Sequence, residues 1–220
     1  EAVAAVAVEW DNVVHAWLWA ASCAESALVE AMIAPLARYL EIRGMFRRGV
    51  DLFGGALAEL ADVVDEKSGD FSVIPRLLAT QAHFLTYQAA YDEAILAARR
   101  AVTLVEAAAD PDAEALAAAS LAWAEAARHK GEHDVARPLL ERSLALAQAA
   151  ERPRLEAEAL RVVGTLLWRQ SDFRAAQDRF EAALALDRRL NDRRGEAWTL
   201  NDLALVLENT GQYDKAIPAY

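Results

Sequence analysis

The chain has 220 residues, with 34 acidic against 23 basic side chains and a net charge of −11, so its overall field disfavours a direct nucleic-acid partner. Hydrophobic residues make up 55% of it but are spread periodically, and no uncharged run of about 18 residues exists to span a membrane. The single cysteine, Cys23, leaves no internal disulfide, and the opening residues Glu1 to Val8 contain no basic leader, so a cytoplasmic location is expected.

The first predicted element lies in residues 1–28, where Trp10, Val13, Val14, Trp17 and Leu18 follow the i, i+3, i+4, i+7, i+8 rule of an amphipathic helix. This leading segment is expected to dock on the array that follows. From residue 29 onward one unit recurs, a helix, a three-residue turn and a second helix, with expected bounds 29–65, 75–110, 113–151, 154–192 and 194–220. The turns are Gly44, Met45, Phe46; Ala89, Ala90, Tyr91; Gly131, Glu132, His133; Ser171, Asp172, Phe173; and Gly211, Gln212, Tyr213. Their third members step by 45, 42, 40 and 40 residues. The fifth copy ends at Tyr220, within its second helix, which suggests a piece of a longer protein.

Three residues after each third member stands a small residue: Gly49, Ala94, Ala136, Ala176 and Ala216. Four further on a filler recurs as Phe53, Ala98, Leu140, Phe180 and Tyr220, and three beyond that stand Ala56, Ala101, Ser143 and Ala183. Offsets of 3, 4 and 3 hold one helix face. Nine residues before each third member lies a second small set, Ala37, Ala82, Ala124, Gly164 and Ala204, where the partner helix can approach closely. The expected fold is all-α, a right-handed α-solenoid of stacked antiparallel hairpins with units of about 40 residues, because such a unit cannot bury its apolar face alone.

Gly164, Phe173, Ala176, Phe180 and Ala183 resemble the tetratricopeptide repeat: a small residue, a turn aromatic nine on, alanine three later and an aromatic after four. These units exceed the family's usual length and lack the proline that commonly closes the second helix, so helices of roughly four to five turns are expected. His133 replaces the turn aromatic in the third unit, and Gly49, Gly54 and Gly55 fall in the second helix of the first, so both hairpins are expected to be less regular. Residues 9–20, from Glu9 through Trp10, Asp11 and Asn12 to Trp19 and Ala20, with Arg43 and Gly44 beyond them, resemble the junction where helical repeats begin in STAND-type signalling ATPases. Leu200 to Ala204 and Asn191 to Gly195 are similar to repeats of that group. The resemblance implies a sensor arm that binds a protein, a peptide or a small inducer, and whose upstream partner is a nucleotide-binding domain of the same polypeptide. A plain scaffold that only assembles other proteins is the alternative.

Catalytic patterns are missing from the sequence. Gly44 and Gly49 have the mutual spacing of a phosphate loop, but Val50 and Asp51 follow in place of Lys and Ser/Thr, and no nucleophile elbow occurs. His129 and His133 stand four apart, a metal-ligand spacing on a continuous helix, but Gly131 interrupts it. Arg188, Arg189, Arg193 and Arg194 form the one basic cluster, read as cations complementing a helix C-terminus. No catalytic residue, cofactor or metal is expected, and the chain reads as non-enzymatic.

In the resembled fold the first helices line a concave groove, and four places per unit point into it. Here these are Ala34, Arg38, Glu41 and Ile42; Ala79, His83, Thr86 and Tyr87; Leu121, Glu125, Arg128 and His129; Arg161, Thr165, Trp168 and Arg169; and Asn201, Leu205, Glu208 and Asn209. The candidate binding residues are the larger or polar ones: Arg38, Glu41, His83, Tyr87, Glu125, Arg128, Arg161, Thr165, Trp168, Arg169, Asn201 and Glu208. Aromatic and arginine side chains concentrate energy at interfaces, which makes Trp168, flanked by Arg161 and Arg169, the expected anchor. Its truncation is expected to leave thermal stability nearly unchanged, and Arg161 has Glu158 or Glu125 as sequence-level pairing partners.

Overall fold

A computed structural model describes residues 6–63 and 72–217. The filler position at Tyr220 and the boundary at residue 65 lie outside the described residues. Among the described residues every regular element is helical. In chain order they are α1 (Trp10–Ser22), α2 (Ser26–Ile42), α3 (Phe46–Val63), α4 (Val73–Tyr87), α5 (Tyr91–Ala107), α6 (Ala113–Lys130), α7 (His133–Ala149), α8 (Pro153–Arg169), α9 (Phe173–Arg189), α10 (Arg193–Asn209) and the short α11 (Tyr213–Ala216). They fall into two compact units, Glu1–Pro111 and Asp112–Tyr220.

The chain reverses by one device used eight times. After each reversing helix a residue adopts the left-handed conformation: Ala24, Gly44, Ala89, Gly131, Glu151, Ser171, Asn191 and Gly211. Its N–H bonds the carbonyl three residues back, and the next N–H bonds the carbonyl five back, as in Gly131 N to Arg128 O (3.1 Å) and Glu132 N to Ala127 O (2.8 Å). This is the Schellman closure, which satisfies carbonyls that the helix end leaves orphaned. From Gly131 to Gly211 the left-handed residues fall every 20 positions, and α7, α8, α9 and α10 each have 17 residues. Hence the 40-residue repeat is two equal helix-and-turn halves. The N-caps Asp172 and Asp192 then accept from the Ala175 and Gly195 N–H groups and open the next helix.

In the first unit α4 pairs with α5, α3 packs mainly on α4 and α1, and α2 lies beside α1 and α4 and touches α3 only lightly. The amphipathic stripe of α1 docks as its pattern demands. Trp17 is fully buried, its Nε1 donates to the Leu52 carbonyl at 3.1 Å, and its ring meets Phe53 edge-on at 5.5 Å. Trp10 stacks on Tyr39 with centroids 5.0 Å apart. The core joins these to Val29, Leu40, Leu60, Leu77 and Phe84.

The glycines of α3 do not interrupt the helix, but the first hairpin is less regular as expected, because α3 packs on α1 and α4 and only lightly on α2. The helix runs unbroken from Phe46 to Val63. Gly49 is where the Phe84 ring presses in, so close that an added Cβ would lie 2.3 Å from the ring, and Gly54 faces the Gln81 side chain. Missing side chains here admit a neighbour.

In the second unit, α6 pairs with α7, α8 with α9 and α10 with α11, and the first helices α6, α8 and α10 lie side by side. The small positions are closed: Ala136, Ala176, Ala183, Ala124 and Ala204 have no exposed surface, and Ala216 has 2%. Phe180 is 1% exposed and fills the space left by Gly164, a burial that stabilises by about 1.5–3 kcal/mol. Ser143 stands where the other copies have alanine, and its hydroxyl donates to the Ala117 carbonyl at 2.8 Å, joining α7 to α6. His133 does not disturb its hairpin, since α7 has 17 residues, as α8, α9 and α10 do. The arginine cluster divides: Arg188 and Arg189 occupy the last turn of α9 as expected, whereas Arg193 and Arg194 begin α10, where the helix dipole disfavours cations. Glu196 compensates by accepting from Arg188 at 2.7 Å.

Candidate functional site

In each unit several polar side chains of the first helices meet across neighbouring helices. In the first unit, Glu41 near the end of α2 meets His83 of α4 at 2.8 Å, both side chains mostly buried. Tyr87, one turn beyond His83, is edge-on to its imidazole at 5.0 Å and stacks in parallel on Phe46 at 4.7 Å. Glu41, His83 and Tyr87 therefore form one patch, with 42% of Tyr87 in water. Arg38, one turn before Glu41, is partly buried; Ala34 and Ile42 are exposed, while Ala79 and Thr86 are buried. Thr86 spends its hydroxyl on the Ala82 carbonyl.

In the second unit the charges are denser. Positions three or four apart share a helix face, which aligns Leu121, Glu125 and Arg128 on α6, Arg161, Thr165 and Arg169 on α8, and Arg194, Trp198 and Asp202 on α10. Arg161 reaches Asp202 at 3.9 Å and lies 5.0 Å over the Trp198 ring, while Arg194 covers that ring at 4.5 Å. Arg161 thus makes a cross-helix ion pair with a residue not among its expected partners. Arg128 is only 7% exposed; its Nη2 donates to His129 Nε2 at 2.8 Å and its Nε has no hydrogen-bond partner. Burial lowers the Arg128 pKa most strongly, Glu125 and Asp202 counteract, and the nearby charges of Arg169 and Arg161 push it further down. The same surroundings hold His129 below its ordinary value, through desolvation first and then the Arg128 charge, so its neutral imidazole accepts from Arg128. Asp202 is pushed up by burial, with Arg161 opposing.

The remaining expected residues are scattered. Asn201, Glu208 and Asn209 are exposed, Leu205 is half-buried, and Thr165 donates to the Arg161 carbonyl within its own helix. Trp168 needs a correction. It is half-buried against the core of Ala176, Phe180, Leu203 and Val206, with its Nε1 buried and unpartnered, so its ring packs on the core. His129 turns its Nε2 to Arg128 and not toward His133, whose Nδ1 is buried.

Asp202 and Trp198 are the two residues that reading along the sequence missed. They stand one turn apart on α10, and Trp198 is one turn from Arg194. That spacing was a visible signal; which helix they would face depends on how neighbouring hairpins stack.

Paired helices with closed small-residue contacts and side-by-side first helices define a helical-repeat protein. The tetratricopeptide repeat family profile matches residues 115–189 and 155–220, just under half of the chain. No curated protein matches the sequence. The fold is similar to BtubC from P. vanneervenii, at 18% identity and a TM-score of 0.67 over 94% of this chain and 87% of that one. It is also similar to a Rap protein complexed with Competence and Sporulation Factor, at 20% identity and a TM-score of 0.71 over 84% of this chain and 50% of that one. A third likeness is the Rap conjugation gene regulator of plasmid pLS20 in complex with the Phr* peptide, at 14% identity and a TM-score of 0.71 over 84% and 49%. The chain spans about half the length of the two Rap proteins.

Proposed function

We propose that the chain is a non-catalytic interaction domain that binds a protein or peptide on the faces of its first helices, and that it serves as the sensor arm of a STAND-type signalling ATPase. The carrying observation is the segregation of side chains on α8. Val162 and Leu166 are buried in a cluster with Leu121 and Leu140, while Arg161 engages charged and aromatic groups of α10. A solvated face with no partner would not assemble arginine, tryptophan and half-buried carboxylates, the residue types that interfaces favour or can accommodate only when paired. Two similar folds hold a peptide or a signalling factor, which supports the same use here.

Selection of displayed random peptides on the immobilised chain tests the binding. First-helix variants of the second unit, Arg161→Ala and Asn201→Ala, should weaken the selected peptides, while Glu141→Ala and Arg179→Ala on exposed second-helix positions should not. Peptides indifferent to both first-helix variants would refute the reading. For the sensor role, the parent gene should encode a phosphate loop upstream of Glu1; its absence there would favour a plain scaffold with no inducer.

A further inference from the structure

A buried carboxylate sits in the seam between α9 and α10. Asp187, in the last turn of α9, is only 5% exposed, and two features of α10 one turn apart receive it. The fully buried Thr199 hydroxyl donates to Oδ2 at 2.8 Å. Gly195 leaves the space for Oδ1, since a Cβ there would lie 2.5 Å from that oxygen. A buried carboxylate is comfortable as an anion only when a cation or several donors surround it. Asp187 has one hydrogen-bond donor, Thr199, and no ion pair among the described residues. The charges that face it are mixed. Arg161 of α8 favours the anion but makes its ion pair with Asp202, at 3.9 Å. Asp192, the N-cap of α10, and Glu196 in its first turn oppose the anion, and each is near its own cation, Arg154 at 3.6 Å and Arg188 at 2.7 Å. Desolvation is the largest effect and, with Asp192 and Glu196, raises the Asp187 pKa above its ordinary value against the pull of Thr199 and Arg161.

We propose that Asp187, Gly195 and Thr199 form a proton-controlled joint between α9 and α10: the ionised carboxylate leaves α10 loosely held, and protonation locks it against α9. Trp198 and Asp202 ride on α10 and meet Arg161 of α8, so the joint sets how firmly the α8 and α10 faces are held together. Opening α10 returns Asp187 to water and to its ordinary value of about 3.9. The lock is therefore complete below that value and is lost as pH rises through the higher folded value.

Hydrogen exchange of the α10 amides, followed by mass spectrometry on the full chain and corrected for intrinsic rates, reads the lock. In the wild type their protection should rise severalfold between about pH 7 and about pH 4.5. Asp187→Asn, which keeps an acceptor for Thr199 and carries no charge, should already be protected at the upper pH and gain less on acidification. Asp202 is also pushed up by burial and adds a gain of the same sign to both proteins, so the difference between them reports Asp187. Equal gains in the two would assign the effect to Asp202 and overturn the joint. Should Asp187→Asn unfold, carboxyl-carbon NMR titration of the wild type and two other variants decides. The Asp187 midpoint should lie above about 3.9, rise further in Thr199→Val and fall in Gly195→Ala, whose methyl group drives the carboxylate toward water. A wild-type midpoint at or below that value, or one that neither variant moves, would overturn the joint as well.

Discussion

Adding one methyl group at Gly164 tests the packing on which everything else depends. A Cβ there would lie 2.7 Å from Phe180 Cε1 and 2.9 Å from Cδ1 and Cζ, where unstrained carbons keep about 3.5–4.0 Å. The ring has to move by about 1 Å, yet Phe180 is 1% exposed and wedged among Ala176, Leu184, Val206 and Leu207. Overpacking of this kind costs about 1–3 kcal/mol, while alanine in place of a helical glycine returns about 1 kcal/mol. Gly164→Ala should therefore destabilise by up to about 2 kcal/mol. Gly55 is the control: its added Cβ would meet only Leu18 Cδ2 at an ordinary 3.5 Å, so Gly55→Ala should stabilise by about 0.5–1 kcal/mol. For a chain of this length 1 kcal/mol shifts Tm by about 2–4 °C, so thermal unfolding by circular dichroism should move the two variants in opposite directions. A Gly164→Ala protein as stable as Gly55→Ala would refute the close contact between α8 and α9.

Three further outcomes follow from particular contacts. Trp168→Ala should lower Tm, because it strips a half-buried ring from the α9–α10 core, a loss of about 1–3 kcal/mol; an unchanged melting curve would place the ring outside that core. Glu151 holds φ +52°, an arrangement costing a non-glycine residue about 1–2 kcal/mol, so Glu151→Gly should stabilise by about 0.5–1 kcal/mol in thermal unfolding after glycine's added chain entropy; destabilisation would refute it. His129 has its pKa depressed by the fold, so unfolding takes up a proton below about pH 6.5; its contribution is present above that pH and is lost as pH falls toward the folded value. Stability measured by urea titration should thus fall less steeply below pH 6.5 in His129→Gln, and an identical slope would contradict the placement beside Arg128.

Much of the fold was legible because close packing leaves small residues at fixed offsets. Ala136, Ala176, Gly164 and Ala204 are where the turn spacing placed them, and the stripe of α1 buries Trp17. The finer 20-residue period was hidden, since the turn at Glu151 uses a residue with no turn signature and the signature of Asn191 with Asp192 then stands alone; their Schellman hydrogen bonds expose it. The α3 glycines marked an irregular hairpin, but that Gly49 admits the Phe84 ring of α4 was not legible, because it depends on which helix packs on α3. At the candidate site, sequence spacing placed Arg128, Arg161 and Arg169 on first helices. It could not supply Asp202 and Trp198 as partners of Arg161, nor distinguish a Trp168 resting on the core from one facing a ligand, because both depend on the angle between stacked hairpins.

The claim that the first helices bind a peptide is tested most directly by the indole N–H signals of the six tryptophans during NMR titration with a selected peptide. Trp198 sits between Arg161 and Arg194 at the candidate site, whereas Trp17 is locked to the Leu52 carbonyl and Trp19 is 58% exposed on α1. The Trp198 signal should shift in a saturable way while those of Trp17 and Trp19 stay fixed. A shift confined to Trp19, with Trp198 unmoved, would place the partner on the leading helix and contradict the account.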